Sequence, residues 1–217
     1  IREKEIMQLK NVPVSLLQSI KGVNYNTGKN WYRNFHELLR VQVQRDFERM
    51  KTLGISTIRR YGPGIYDHNV LAEARQAGMK MVYSFWIPVL TGSQDDDTKN
   101  LAEAEQDILK KIDQLKNNES IIGWSVGNTN QLPQDNYNKP FSFYKEEMLF
   151  SWLDQLSRKI KDIDPKRPLS IDVNLSAHID ATLSSIRLRV PAVDMFGLII
   201  GQDTTGISSI KNIRQPV

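Results

Sequence analysis

Two β-rich runs and the long amphipathic stretch between them decide the fold. The runs are Met79–Trp86 (MKMVYSFW) and Ile121–Asn128 (IIGWSVGN), each short, rich in aromatic or β-branched residues and bounded by Gly or Asn. Asp97–Asn117 lies between them, and its apolar residues are spaced for one helical face. We predict a helix there, with Asp97 as its N-cap. The predicted apolar face consists of Leu101, Ile108, Ile112 and Leu115.

The same alternation of strand and helix patterns continues on both sides of this unit. Because strands that alternate with amphipathic helices form βαβ units, the pattern predicts a parallel sheet covered by helices. The further predicted strands are Ser19–Tyr25, Ser56–Gly62, Pro168–Leu175 and Val193–Ile200. The further predicted helices are Val41–Leu53, His68–Ala77, Ser142–Ile163 and Ala177–Leu188.

Two architectures fit a parallel α/β sheet: an open doubly wound sheet and a (β/α)8 barrel. A nucleotide-binding open sheet needs a glycine-rich phosphate loop after its first strand, and GVNYNTGKN at 22–30 lacks the required spacing. We therefore favour an incomplete (β/α)8 barrel of about six units, because eight strands are expected and six are visible. The predicted barrel domain covers residues 19–217, after a lead-in segment at 1–18, and Ser208–Asn212 has only a weak helical pattern.

Composition narrows the classes of function and of cofactor. The 217 residues include 29 Lys plus Arg against 25 Asp plus Glu, a net charge of +4 that is spread along the chain, so we expect no nucleic-acid partner. There is no Cys, which excludes disulfides and thiolate sites, and no apolar run is long enough to insert into a membrane. The histidines are His36, His68 and His178, which lack paired spacing, so we expect no metal and no cofactor.

Polar and aromatic residues follow or end most of the predicted strands. Catalytic and binding residues of a barrel lie at the carboxyl ends of its strands, so these residues are the candidate site. Aromatic faces with Asn and Arg donors are typical of a sugar site. Trp86 and Trp124 can alternatively be core aromatics. The candidate substrate-binding residues are Asn24, Tyr25, Arg59, Tyr61, Trp86 and Asn128.

The same strand ends carry a family resemblance over residues 19 to about 200. GVNY at 22–25, IRRYGPG at 58–64, GMKMV at 78–82 and SIIGWSVGN at 120–128 resemble the retaining β-glycoside hydrolases with (β/α)8 barrels, of the β-galactosidase/β-mannosidase and β-1,3-glucanase types. The resemblance implies that Arg59 steadies a nucleophile and that Asn128 holds the sugar 2-hydroxyl. Of the strand-four motif, the positions that match are Trp124, Ser125, Gly127 and Asn128.

The sequence departs from this family at the catalytic carboxylates. Thr129 stands where the resemblance implies the acid/base Glu, and the nucleophile Glu belongs to a seventh strand that the pattern does not show. Retaining hydrolysis uses two carboxyl groups about 5 Å apart, and a threonine hydroxyl is not a useful acid near neutral pH.

Asp172 is the best candidate for a replacement acid. Ser170, Asp172 and Asn174 alternate with apolar residues, which predicts that they face the barrel interior. The favoured interpretation is structural: Asp172 is an interior acceptor paired with Arg59 or Arg60, since a buried acid needs a partner.

Three functions remain open at this stage. The first is a carbohydrate-active domain that binds a β-linked oligo- or polysaccharide with degenerate or no hydrolysis, and the resemblance favours an extracytoplasmic location. The second is an active β-glycosidase completed by residues beyond this chain. The third is a scaffold barrel that binds protein. An incomplete barrel has open sheet edges, so we expect the rest of a longer protein or a partner chain to cover them.

Overall fold

The chain folds as six parallel strands in sequential order, each hydrogen-bonded to the next. The computed structural model describes residues 20–26, 37–127, 140–174 and 179–200. The alternation therefore produces an incomplete (β/α)8-type barrel, as predicted. The strands are β1 Gly22–Asn24, β2 Thr57–Gly62, β3 Lys80–Trp86, β4 Ile121–Gly127, β5 Leu169–Asn174 and β6 Met195–Ile199.

Helices connect the strands, and the predicted helices are confirmed to within three residues at each end. Their bounds are α1 Arg40–Thr52, α2 Asp67–Ala77, α3 Gln94–Leu115, α4 Pro140–Ile163 and α5 Ile179–Arg189. Helix α2 ends where expected because Gly78 adopts the left-handed conformation, at φ 68°, that closes a helix. The weak helical pattern at Ser208–Asn212 lies outside the described residues.

The predicted N-cap of α3 is wrong. The helix begins three residues earlier, and Asp97 lies in its first turn, with Ser93 as the N-cap residue. The buried Asp97 carboxylate instead accepts hydrogen bonds from the backbone N–H groups of Thr91 (2.7 Å) and Gly92 (2.8 Å). The Asp97 carboxylate therefore binds the loop that precedes α3, a contact that the helical pattern alone does not reveal.

The pairing register divides each strand into two faces. Tyr61 pairs with Ser84, Ser84 with Ser125, and Ser125 with Ser170, so these side chains share the interior face. The alternate residues pack against the helices and form the apolar core. Members of this core from four strands are Ile58, Met81, Tyr83, Phe85, Trp124, Val126, Ile171 and Val173.

Trp124 belongs to the core, in agreement with the core alternative for that residue. Its ring is fully buried, and its indole N–H donates to the carboxylate of Asp164 at 2.9 Å. Arg167 also donates to this carboxylate, at 2.7 Å, so a charged pair beyond the end of α4 satisfies the one polar atom of the indole.

Candidate functional site

Arg59 reaches across the barrel interior from β2. Its Nε donates to the hydroxyl of Ser84 on β3 (2.8 Å), and its Nη2 donates to the hydroxyl of Ser125 on β4 (2.9 Å). The same Nη2 forms an ion pair with the carboxylate of Asp172 on β5. One guanidinium therefore contacts three other strands, and about a quarter of its side chain remains exposed.

Asp172 is the buried acid of this network. No part of its surface is exposed, and its carboxylate accepts hydrogen bonds from Arg59, from the Tyr61 hydroxyl (3.0 Å) and from the Ser125 hydroxyl (3.4 Å). The structural interpretation, an interior acceptor paired with Arg59, is confirmed by these contacts. A general acid must reach the leaving oxygen of a substrate, and the buried Asp172 does not reach a surface where a substrate could lie. The alternative role of Asp172 as a replacement catalytic acid therefore does not fit this geometry.

Two glycines make room for the Asp172 carboxylate. A Cβ added at Gly127 on β4 would overlap one carboxylate oxygen, and a Cβ added at Gly197 on β6 would overlap the other. The strands beside β5 therefore lack side chains at the positions where the acid lies. This packing holds Asp172 in one place and leaves Arg59 as its charged partner.

An aromatic pair lies above this network at the ends of β2 and β3. The rings of Tyr61 and Trp86 are stacked, with centroids 4.2 Å apart and planes 24° apart. Tyr61 is buried, whereas Trp86 keeps 45% of its surface exposed. The guanidinium carbon of Arg59 lies 4.8 Å from the centroid of the Tyr61 ring. Arg59, Tyr61 and Trp86 thus form a continuous stack that ends in an exposed indole.

The Tyr61 hydroxyl is a hydrogen-bond donor held in its protonated form. Burial raises the pKa of Tyr61, the negative charge of Asp172 raises it further, and the positive charge of Arg59 lowers it by less. The hydroxyl therefore remains neutral at any physiological pH and orients the Asp172 carboxylate rather than exchanging protons with it.

A second polar cluster lies on the opposite, helix-facing side of β2 and β3. The fully buried Arg60 donates to Asp67 at 2.7 Å, and the hydroxyl of Tyr83 donates to the same carboxylate. Burial raises the pKa of Tyr83, and the charge of Asp67 raises it further. Arg60 and Arg59 are adjacent in sequence but face opposite layers, so this cluster anchors α2 and takes no part in the interior site.

The predicted substrate-binding residues divide into three groups. Arg59, Tyr61 and Trp86 come together, and Asn24, which is exposed, pairs in register with Arg59. Tyr25 does not join them: it is 4% exposed and its hydroxyl donates to Asp46 on α1 at 2.8 Å, so it packs against a helix. The candidates outside the described residues are Asn128 and Thr129.

Ser84 is a site residue that the sequence analysis missed. It accepts the Nε hydrogen bond of Arg59 at 2.8 Å. The signal was the alternation within MKMVYSFW, which places Val82, Ser84 and Trp86 on one face. Because Ser84 lies two positions before Trp86, it could have been assigned to the same interior face.

The described residues contain no group of three or more His, Cys, Asp or Glu side chains placed to hold a metal ion. Within the same ranges, no helix combines the length and the apolar character that crossing a bilayer requires.

Solved structures share this fold. A β-glucuronidase from Bacteroides uniformis is 22% identical, with a TM-score of 0.65 over 89% of this chain and 23% of its own. A β-glucuronidase from Ruminococcus gnavus is 17% identical, with a TM-score of 0.56 over 82% of this chain and 27% of its own. The carboxyl transferase domain of Rhizobium etli pyruvate carboxylase is 9% identical, with a TM-score of 0.56 over 84% of this chain and 27% of its own.

These likenesses show a fold that glycoside hydrolases share. At 22% identity or less they show the fold alone, and the pyruvate carboxylase domain is an example of the same architecture with different chemistry. This chain spans about a quarter of the length of each of these three structures. No protein-family model matches the sequence, and no curated protein does.

We expect Gly127→Ala to destabilise the protein by about 1–3 kcal/mol, because the added methyl group would overlap the Asp172 carboxylate. Gly123→Ala on the same strand is the matched control, since its Cβ would lie 3.3 Å from the Pro168 carbonyl oxygen and would need only a small shift. Urea denaturation of both variants measures the difference. Equal stability of the two would show that Asp172 is not held by this packing.

We expect stability to fall as the pH rises above about 10. Unfolded tyrosines lose their protons near pH 10, whereas Tyr61 and Tyr83 keep theirs in the folded state because their pKa values are raised. Each of the two tyrosines therefore lowers the free energy of unfolding by about 1.4 kcal/mol per pH unit above pH 10 and has no such effect below it. Tyr83→Phe removes one of these two groups, so it should make the free energy of unfolding depend less steeply on pH. Denaturation curves recorded between pH 10 and 11 measure this dependence. An unchanged slope would contradict the shift.

Proposed function

We propose that this chain is a glycoside hydrolase-like, carbohydrate-active domain that binds a β-linked glycan and has degenerate or no hydrolytic activity. The observation that carries the proposal is the exposed indole of Trp86, stacked on Tyr61 at the carboxyl end of the sheet. The resemblance of the strand ends to β-glycoside hydrolases and the shared fold support it. Carbohydrate-related activity of a longer protein that contains this chain is likewise a proposal.

The Trp86 ring has the properties of a sugar platform. An exposed indole leaves apolar surface in water, and the C–H face of a pyranose ring can cover it. The Tyr61 ring supports the other face of the indole, so Trp86 is already oriented before a ligand arrives. The exposed Asn24 on β1 and the partly exposed Arg59 on β2, which pair in register, offer hydrogen-bond donors for sugar hydroxyl groups.

The weak or absent hydrolysis follows from the carboxylates. Retaining hydrolysis requires two carboxyl groups about 5 Å apart that both reach the glycosidic bond. The interior acid of the described strands, Asp172, is buried beneath three donors. At the position that the resemblance assigns to the acid/base, the sequence has Thr129.

We expect Trp86→Ala to reduce affinity for β-linked oligosaccharides by on the order of tenfold or more, since an aromatic anchor dominates such a contact. The melting temperature should fall by only about 2–4 °C, because a half-exposed ring contributes roughly 1 kcal/mol to stability. Titration calorimetry with β-linked glucan and mannan oligosaccharides gives the first quantity, and thermal unfolding gives the second.

Val89→Ala is the control for this variant. Val89 is 69% exposed, three residues beyond Trp86, so its truncation also removes exposed apolar surface. It should leave affinity and melting temperature unchanged. A large loss of stability in Trp86→Ala would identify Trp86 as a core residue instead. If the wild-type chain binds no glycan, the scaffold alternative gains support.

Product release from aryl β-glycosides tests the catalytic part of the proposal. We expect the purified chain to release no aryl alcohol, because no carboxyl pair is available in the described strands. Release would contradict the degenerate site and favour the active β-glycosidase, and replacing Asp172 would then test whether this acid is responsible.

A further inference from the structure

We propose that Asp172 is a specificity-determining residue that acts through Arg59: by neutralising the guanidinium, it makes the proposed glycan-binding surface of Asn24, Arg59 and Trp86 select neutral sugars over acidic ones. This inference rests on the proposed glycan-binding function. Asp172 does not contact the ligand in this scheme and is a positioning residue.

The first step is the location of positive charge. Arg59 lies on the interior face of β2, beside the Tyr61–Trp86 stack. Its side chain is about a quarter exposed, and Nη1 is the nitrogen that the bonds to Ser84, Ser125 and Asp172 do not use. Alone, such a guanidinium would attract the carboxylate of an acidic sugar through a bidentate contact.

The second step is the cancellation of that charge. Asp172 has no exposed surface, so neither solvent nor salt screens it from Arg59 as they would a surface pair. The ion pair therefore presents a dipole rather than a net charge to a ligand on the proposed glycan-binding surface. A sugar carboxylate beside this ion pair would lose its hydration and would find no net positive charge to compensate for that loss. A sugar hydroxyl group costs less to desolvate and can still accept a hydrogen bond from Nη1.

The surrounding rim supports the same preference. Each helix begins at the end of the barrel where the preceding strand finishes, and the first turns of α3 and α5 carry the exposed acids Asp95, Asp96 and Asp180. Burial raises the pKa of Asp97, and hydrogen bonds from Thr91 and Gly92 together with the charge of Lys145 lower it, so Lys145 lies close to a compensating carboxylate. Asp95 and Asp96 therefore add exposed negative charge where α3 begins.

Matched glycosides that differ only at carbon 6 test the preference directly. We expect the wild-type chain to bind phenyl β-glucoside and phenyl β-galactoside about tenfold or more tightly than the corresponding glucuronide and galacturonide. Affinity for the neutral pair should not change between 20 and about 300 mM salt, since no net charge is involved.

Asp172→Asn isolates the role of the acid. The substitution keeps the shape of the side chain and leaves the charge of Arg59 uncompensated, so the ratio of uronide to neutral affinity should rise on the order of tenfold. This gain should disappear at high salt. Asp154→Asn is the matched control: it makes the same change in net charge on α4, where Asp154 pairs with Arg158 at 3.0 Å. It should leave the ratio unchanged.

The outcomes separate the two proposals. Equal or tighter uronide binding by the wild-type chain would overturn this inference and leave glycan binding intact. Failure to bind any of the four glycosides or the longer oligosaccharides would overturn both. Asp172→Asn weakening both classes equally would make Asp172 structural only. If circular dichroism shows that this variant does not fold, the wild-type preference and its salt dependence decide the inference alone.

Discussion

The ion pair between Arg59 and Asp172 joins strands that are far apart in the sheet. Arg59 lies on β2 and Asp172 on β5. Between them, Ser84 on β3 and Ser125 on β4 accept hydrogen bonds from the guanidinium. A buried ion pair is costly to desolvate and is tolerated when further hydrogen bonds satisfy its atoms. Here Tyr61, Ser84 and Ser125 supply those bonds, and glycines supply the space. The polar interior, the aromatic stack above it and the small residues beside it all depend on this one contact.

The same arrangement separates the two parts of the proposed function. The proposed glycan contact uses the exposed indole of Trp86, whereas acid catalysis needs a carboxyl group that reaches the ligand. In the described strands the carboxyl group is committed to holding Arg59. Fold likeness does not separate these functions, since structures with this architecture include glycosidases and a carboxyl transferase domain.

Strand and helix positions could be predicted because their signals are local. All six strands lie inside the predicted runs, since each run is short, apolar and bounded by turn residues. Pairing of Asp172 with an arginine of β2 was predictable from alternation and from the need of a buried acid for a partner. The sequence left Arg59 and Arg60 both open, and the assembled sheet shows that Arg59 is the one on the interior face.

The errors have equally physical reasons. Asn24 and Tyr25 are consecutive, and successive side chains of a strand point to opposite faces of the sheet. Both therefore cannot face the barrel interior, although both were assigned to one binding site. Asp97 resembles an N-cap by composition, but it lies within the first turn of α3 and its carboxylate binds the loop that precedes the helix. The stack of Tyr61 and Trp86 joins adjacent strands at positions that no single run of sequence brings together.

The sequential order of the strands has a consequence for how the protein folds. Every strand pairs with its neighbours in the chain, so the sheet can grow one unit at a time as the polypeptide emerges from the ribosome. Arg59 and Asp172 are 113 residues apart, however, and their contact closes a loop that contains three whole helices and two whole strands. Loop closure over that distance is entropically unfavourable until the intervening strands are in place. We therefore expect the polar interior to form late, after a helix-covered sheet whose inner face is still hydrated.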